Sequence, residues 1–409
     1  MSRMSAGFDI LARSSEMAVL PRVASSPAEP CDLRALSVLH VLRYFRPDFT
    51  GEGIYLEKLA PLLTTRGIAS EVVAEVTRPA GGAASLSGLG EPRLLGRGRR
   101  TSAMPYWPNL AMLTWFVRNV SRFDLVHFHS AVDRMFLLHA IARAAGCRVV
   151  QSSTLDDGLG SVVDGYRAAF RPMARRLCGL IDASVAISPR LCSDSARVAA
   201  AGRLHFVPQG VITPPLSSDG DRAAARARFG LAKDEVALLF VGGLCARKDV
   251  RFLLDQQAGL DRARARLLVI GPDLEDDYAD GLRELAAQSG GRITLHGYMD
   301  DPGPAFRAAD CFVFASRQEG FGNVLLEAMA HGLPVVSRRL EGVTDQFITS
   351  EQTGLLFNTA QEYRDAVCRL IDDEALRGRL GEAARQVVAT QYSLTAAADR
   401  YAELYRSLV

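Results

Sequence analysis

The sequence predicts an α/β protein built of two doubly wound domains that face a cleft, and three observations carry that expectation. Short apolar runs alternate with amphipathic segments from Leu36 onward; the alternation breaks once, in a Pro/Gly/Ser-rich stretch, and then restarts; and 409 residues exceed what one ordinary core organises. Strands separated by helices imply parallel sheets covered by helices on both faces. Such sheets bind ligands beyond the carboxyl ends of their strands, so the loops leaving those ends are where chemistry is expected.

The elements follow in order. Residues 37–42 read as a first strand, Gly51 and Gly53 as a glycine loop, and the period Ile54, Leu56, Leu59, Leu62 and Leu63 as a helix. A strand at 70–74, an exposed Gly/Ser/Pro-rich connection at 79–92, helices at 110–120 and 135–145, and strands at 125–128, 149–152 and 183–187 complete a Rossmann-like domain over 35–207. Pro214, Pro215, Ser217, Ser218 and Gly220 interrupt all periodicity and mark an interdomain linker at 208–221. A second Rossmann-like domain, 222–388, carries strands at 236–241, 266–270, 294–296, 311–314 and 334–337. Its helices are expected at 250–256, 280–288, 305–309 and 323–331, and a helical segment at 389–409 is expected to pack back on the N-terminal domain. Residues 1–34 mix Ser, Pro and Ala with charges, lack an apolar signal core and read as a disordered leader.

Composition narrows the functions. The net charge of +2 is the remainder of 48 basic and 46 acidic residues, which gives no field for nucleic acid. No apolar run reaches the ~18–20 residues that span a bilayer. Seven cysteines, odd in number and without CxxC spacing, suit reduced core thiols and a cytoplasmic setting. Lysine occurs only at Lys58, Lys233 and Lys248 among many arginines, so a compact point charge is the exception here.

The most informative segment runs from Ser316 to Pro334 and includes Glu319, Gly320, Phe321, Gly322, Asn323 and Glu327. It follows a strand and opens a helix. The glycines permit close backbone approach, and free N–H groups at a helix start favour an anion such as a diphosphate. Glu319 in the loop is placed to meet a sugar and Glu327 in the helix a ribose diol, since carboxylates accept hydroxyl hydrogen bonds well; a solvated helix residue among ordinary turn glycines remains the alternative. Lys248, after a strand and the Gly242-Gly243 turn, is placed as a diphosphate-binding cation that stabilises a departing leaving group, with Arg247 beside it as a second cation. In the first domain His127 and His129 share a strand face; His129 is nearer the cleft, and His127 suits a buried, hydrogen-bonded histidine. Asp219-Gly220-Asp221 has the spacing of a metal-binding carboxylate pair, but an N-cap and a solvated turn account for both residues, so no metal is expected.

The 316–334 segment resembles the Glu-x7-Glu motif of retaining glycosyltransferases of family 4, which have the GT-B fold, in its Glu-Gly-Phe-Gly start, Glu-Ala-Met-Ala helix and Gly-Leu-Pro-Val-Val exit. The resemblance extends from about Leu36 to Val409. It implies that Glu319 contacts the donor sugar, Glu327 the nucleotide ribose, and Lys248 the diphosphate. By the same resemblance Gly320, Phe321, Gly322 and Asn323 line the donor, His129 lies near its sugar, and Gly51 and Gly53 lie beside the diphosphate and acceptor. Three segments depart from the family pattern. Gly243 stands where arginine is common and Asp249 where glycine is common; Gln209 replaces an asparagine; and the loop ending at Asp345 is altered at both ends, making Asp345 a weak candidate.

The activity implied is a metal-independent, retaining transfer from a UDP- or GDP-sugar to a hydroxyl of a glycan or lipid-linked acceptor, as in polysaccharide biosynthesis. A nucleotide-sugar epimerase of the same architecture and a nucleotide-binding protein without catalysis are the alternatives. Basic residues at 96–100 and Arg171, Arg175 and Arg176 beside Phe170, Met173 and Leu177 suggest peripheral contact with the inner face of the plasma membrane; a solvated surface explains them equally.

Overall fold

In the computed structural model, residues 35–43, 45, 51–76, 88–89, 92–96, 110–129, 135–153 and 158–409 are described. The expected leader and the basic segment 97–100 lie outside them. Both sheets belong to one compact unit, Leu36–Val409.

The first sheet has seven parallel strands: β1 (Leu36–Leu42), β2 (Ile68–Val76), β3 (Arg93–Gly96), β4 (Leu125–His129), β5 (Arg148–Ser153), β6 (Ala183–Ala186) and β7 (Leu204–Phe206), in the order β3-β2-β1-β4-β5-β6-β7. The second has six: β8 (Val236–Val241), β9 (Ala265–Ile270), β10 (Ile293–Leu295), β11 (Cys311–Phe314), β12 (Val335–Arg338) and β13 (Leu355–Phe357), in the order β10-β9-β8-β11-β12-β13. The strand order reverses between β1 and β4 and again between β8 and β11, the switch points at which such sheets open a crevice. The central strands of the second sheet are apolar on both faces because helices cover both: Val-Ala-Leu-Leu-Phe in β8 and all of β11 are buried.

Two crossings join the lobes side by side. The Val211 N–H donates to the Tyr392 carbonyl at 2.9 Å and the Leu394 N–H to the Val211 carbonyl at 3.0 Å. A Cβ on Gly210 would lie 2.4 Å from the Ser393 carbonyl oxygen, so only glycine permits this approach. The helix Leu394–Leu408 returns to the N-terminal sheet, where Leu394, Ala398, Tyr401 and Tyr405 pack with Val38, Leu59, Leu63 and Leu125. A second cluster joins Ile187, Leu191 and Cys192 of the first lobe to Phe321, Phe347 and Tyr392.

Several elements differ from the sequence expectation. β3, β7 and β13, each three or four residues long, are additional. The helix Asp219–Arg228 begins inside the expected linker, with Ser218 as its N-cap; Asp221 completes a capping box with Ser218, which employs a carboxylate of the Asp-x-Asp pair in backbone capping. The last helix of the second lobe, Glu374–Gln391, runs past residue 388, and the crossing follows it. Six cysteines lie among the described residues, all as free thiols. No helix of the described residues is long and apolar enough to cross a membrane.

Candidate active site

The loops leaving β8 and β11 lie side by side because those strands are hydrogen-bonded neighbours. After β8, Gly242 packs against Gly271 at the end of β9 so closely that a Cβ on Gly271 would lie 1.8 Å from the Gly242 carbonyl oxygen. A short 3-10 turn, Ala246–Lys248, then aims two cations at the neighbouring loop. Lys248 Nζ lies 2.5 Å from Glu319 Oε1, and Arg247 Nη1 lies 3.1 Å from the same oxygen and donates to the Gln318 carbonyl at 2.6 Å. Burial by itself would raise the Glu319 carboxyl, but the charges of Lys248 and Arg247 outweigh it and hold the group below the usual carboxylate range. Arg247 therefore turns inward, toward Glu319. The half-exposed Leu274 side chain fills the place beside Gly243, 2.3 Å from where its Cβ would stand.

The loop after β11 ends at Gly322, whose φ of 98° is a left-handed conformation that favours glycine. No side chain caps the helix Asn323–Ala330 that follows, leaving its N-terminus to the cleft loops. Asn323 Oδ1 is buried without a partner. Glu327 reaches the other lobe: Lys58 Nζ, on the helix Gly51–Thr64, lies 2.7 Å from Glu327 Oε1.

The Phe321 ring is 3% exposed and packs on Phe347 and Tyr392, in the cluster that joins the two lobes. One expectation is corrected. Gly51 and Gly53 form the first turn of the helix Gly51–Thr64 and not a preceding loop. Gly320 is buried and Gly322 half-buried within the motif loop. Asp345 accepts from the Gly342 N–H at 2.8 Å, closing a local turn.

In the first lobe β1 and β4 pair in a register that sets His40 opposite His127. His129, at the end of β4, stacks on His127 with ring centroids 4.0 Å apart and places Nε2 3.0 Å from His40 Nδ1. His127 is the buried, hydrogen-bonded partner, with Nδ1 2.6 Å from the Tyr405 hydroxyl and Nε2 2.7 Å from Ser152 Oγ. His40 Nε2 lies 3.3 Å from Ser70 Oγ. Burial lowers His129 to about 3 and drives His40 and His127 well down, so all three are neutral near pH 7. Their ligating atoms lie within 4.8 Å of one another, near enough to share a metal ion, but both nitrogens of His40 and of His127 already have hydrogen-bond partners. A small cavity beside them is lined by Glu52, Tyr55, His129, Gln209, Tyr401 and Tyr405.

The structure thus groups Lys248, Arg247 and Glu319, pairs Glu327 with Lys58, and sets His129 in an imidazole cluster. Sequence reasoning missed Lys58, His40, Gln209 and Tyr405 as neighbours of these groups. The rarity of lysine was the one available signal, and it marked Lys58.

Comparison with known proteins gives the family and the fold. Residues 235–373 match the family described as glycosyl transferases group 1, and residues 49–213 match glycosyltransferase family 4. A D-inositol 3-phosphate glycosyltransferase of Catenulispora acidiphila is 32% identical over 313 residues, 70% of this chain and 73% of that protein. The lipopolysaccharide core biosynthesis glycosyltransferase LpsE of Rhizobium meliloti is 33% identical over 189 residues, 45% of this chain. The chain spans about half the length of LpsE, 54%. The structure of HepE from Anabaena in complex with UDP and glucose superposes with a TM-score of 0.74 at 18% identity, over 91% of this chain and 99% of that one, which establishes the same two-lobed fold.

Proposed function

The chain belongs to glycosyltransferase family 4 of the group 1 glycosyltransferases, and on that premise we propose that it moves a sugar from a nucleotide-sugar to an acceptor hydroxyl. The observation that carries the reading is the convergence of Lys248 and Arg247 on Glu319 beside an uncapped helix N-terminus. Two cations and aligned backbone N–H groups suit a diphosphate on which negative charge develops. In this reading Glu319 accepts hydrogen bonds from the donor sugar and Glu327 from the ribose hydroxyls. His129, neutral, serves the sugar from the facing lobe, and Gly51, Gly53, Gly320, Gly322 and Asn323 border the donor. The bond between the anomeric carbon and the diphosphate oxygen breaks with its electron pair leaving on the diphosphate. The acceptor oxygen attacks the same face, and its proton passes to the departing diphosphate, so configuration is retained without a covalent enzyme intermediate. Lys248, Arg247 and the helix terminus do the electrostatic work for which other transferases use a metal ion.

A UDP-sugar is the favoured donor, since the structurally similar HepE is found in complex with UDP and glucose; a GDP-sugar is the second choice. A lipid-linked glycan acceptor is supported by the surface around the helix Arg171–Cys178, where Phe170 and Met173 are about half exposed among Arg167, Arg171, Arg175 and Arg176. Apolar side chains within a basic patch suit an anionic lipid surface, and therefore peripheral attachment at the cytoplasmic face of a membrane. Absence of co-sedimentation with anionic vesicles at low salt would remove the membrane part of the proposal.

The test of the donor site is a thermal-shift series with UDP-, GDP- and ADP-sugars in chelator, with Lys248→Ala and Glu327→Ala alongside. A ligand held only by the folded state raises the apparent Tm. A shift with one base, lost in both variants and indifferent to chelator, is expected; no shift with any donor would sink the reading.

A further inference from the structure

Asp249 has a backbone conformation and a set of partners that capping does not explain. Its φ of 50° and ψ of 40° are left-handed, a region that favours glycine and admits aspartate among few other residues. It stands at the N-cap of the helix Val250–Ala258, yet its side chain does not cap that helix. The side chain, 10% exposed, instead accepts from Arg317 Nε at 2.9 Å, Arg317 Nη2 at 3.2 Å and Arg338 Nη2 at 2.9 Å. Arg338 is itself fixed: its Nε donates to the Ala315 carbonyl at 2.9 Å, and its guanidinium lies over the rings of Phe252 and Phe357 at 5.0 and 5.2 Å. Arg317 precedes Glu319 in the loop after β11, and Arg338 ends β12. One carboxylate therefore fastens the loops or ends of three adjacent strands, β8, β11 and β12.

We propose that Asp249 is a positioning residue of the donor site, which keeps Lys248 in register with Glu319 while Glu319 exchanges partners. The assignment rests on the donor site proposed above. The two loops are joined reciprocally: Lys248 and Arg247 of the first grip Glu319 of the second, and Arg317 of the second grips Asp249 of the first. A donor sugar that draws its hydroxyls onto Glu319 loosens the first joint, because it competes for the same carboxylate. The Asp249 joint uses no group assigned to the donor and holds throughout. It also accounts for aspartate where the family's segment commonly has glycine, since the left-handed backbone is kept and a tether is added.

The experiment measures kcat and KM with the nucleotide-sugar found by thermal shift, on the full chain, for wild type, Asp249→Gly and Asp249→Asn. Glycine accepts the φ of 50° without strain but cuts the tether; asparagine keeps one acceptor oxygen for Arg317. Misplacing reacting groups by an ångström costs up to about a hundredfold, so Asp249→Gly is expected to lose about tenfold in kcat with a change in KM of about threefold or less. Asp249→Asn is expected to recover part of that loss. Arg317→Ala, which cuts the same tether from its exposed side, gives the same readout if Asp249→Gly does not fold. Wild-type kcat in the variants, or a lowered Tm with kcat per folded molecule unchanged, would overturn the assignment and leave the donor site standing. A wild-type chain that neither binds nor turns over any nucleotide-sugar would overturn the donor site and this assignment with it.

Discussion

Near their central strands the two lobes carry different polar groups. In the first, His40, His127, His129 and His139 lie within the sheet or directly against it, uncharged and joined to hydroxyls, an amide or one another. In the second, Lys248, Arg247, Glu319, Asp249, Arg317 and Arg338 form ion pairs at the ends of β8, β11 and β12. His40 and His127 are fully buried with both nitrogens engaged, so the cluster needs no counterion, and His129, at the end of β4, is its most exposed member. The ionic lobe carries more cations than anions at its cleft edge and suits a diphosphate. On the function proposed above, the division would separate the electrostatics of leaving-group departure from the recognition of neutral groups.

The largest effect that tests this division is on turnover. Lys248→Ala removes a cation from the leaving group and leaves Glu319 with Arg247 alone, so kcat/KM should fall by about 10²–10³-fold. His129→Asn, on the neutral side, should lose less than Lys248→Ala in parallel rate measurements; the reverse order would break the comparison. Next in size, Glu327→Ala should raise donor KM by about tenfold, the cost of roughly one hydrogen bond to a charged group, with kcat less affected. That split is read from saturation kinetics.

The third expectation concerns pH. Burial lowers His139 to about 3, and its Nε2 lies 3.1 Å from Gln151 Oε1. A histidine whose folded pKa lies below the unfolded value of about 6.5 contributes full stability above that value and loses it as pH falls toward the folded pKa. At pH 5 the loss from His139 alone is about 2 kcal/mol. Tm should therefore drop between pH 7 and pH 5, and His139→Leu should flatten the slope; a slope unchanged in that variant would contradict the neutral-lobe picture. The smallest effect is at the Lys58–Glu327 pair, whose side chains are 41% and 26% exposed. Lys58→Met should change stability by at most about 1 kcal/mol, and less at high salt, by denaturant titration.

What the sequence revealed follows the same physical lines. The strands 236–241 and 311–314 coincide with β8 and β11 because continuous apolar runs bounded by polar or glycine residues suit strands buried on both faces. β3, β7 and β13 escaped notice: they are three or four residues long, they form sheet edges, and Leu204, His205 and Phe206 of β7 are only partly buried and show no alternation. Glu319 with Glu327, and Lys248 with Arg247, were legible as candidates because each pair lies within one short segment; that the two segments meet was not, since Lys248 and Glu319 are 71 positions apart. The partners of Asp249 were not, since Arg317 and Arg338 are 68 and 89 positions away. The pairing of His40 with His127 required the β1–β4 register, which no local pattern encodes. The burial of the Phe321 ring was not legible either, because a motif names a residue without saying which face of the loop it takes.

The helix Leu394–Leu408 has a consequence for the order of synthesis. Tyr401 and Tyr405 complete the core over Val38 and Leu125, and Tyr405 is the hydrogen-bond partner of His127. A ribosome adding about 5–20 residues per second makes the second lobe, roughly two hundred residues, over some tens of seconds after β7 has been made. During that interval the first sheet has its strands but lacks the tyrosines that cover one face. The nascent first lobe must therefore wait, partly unroofed, for a helix made after the whole second lobe, and chaperone capture in that window should fall on the surface around Val38, Leu59 and Leu125.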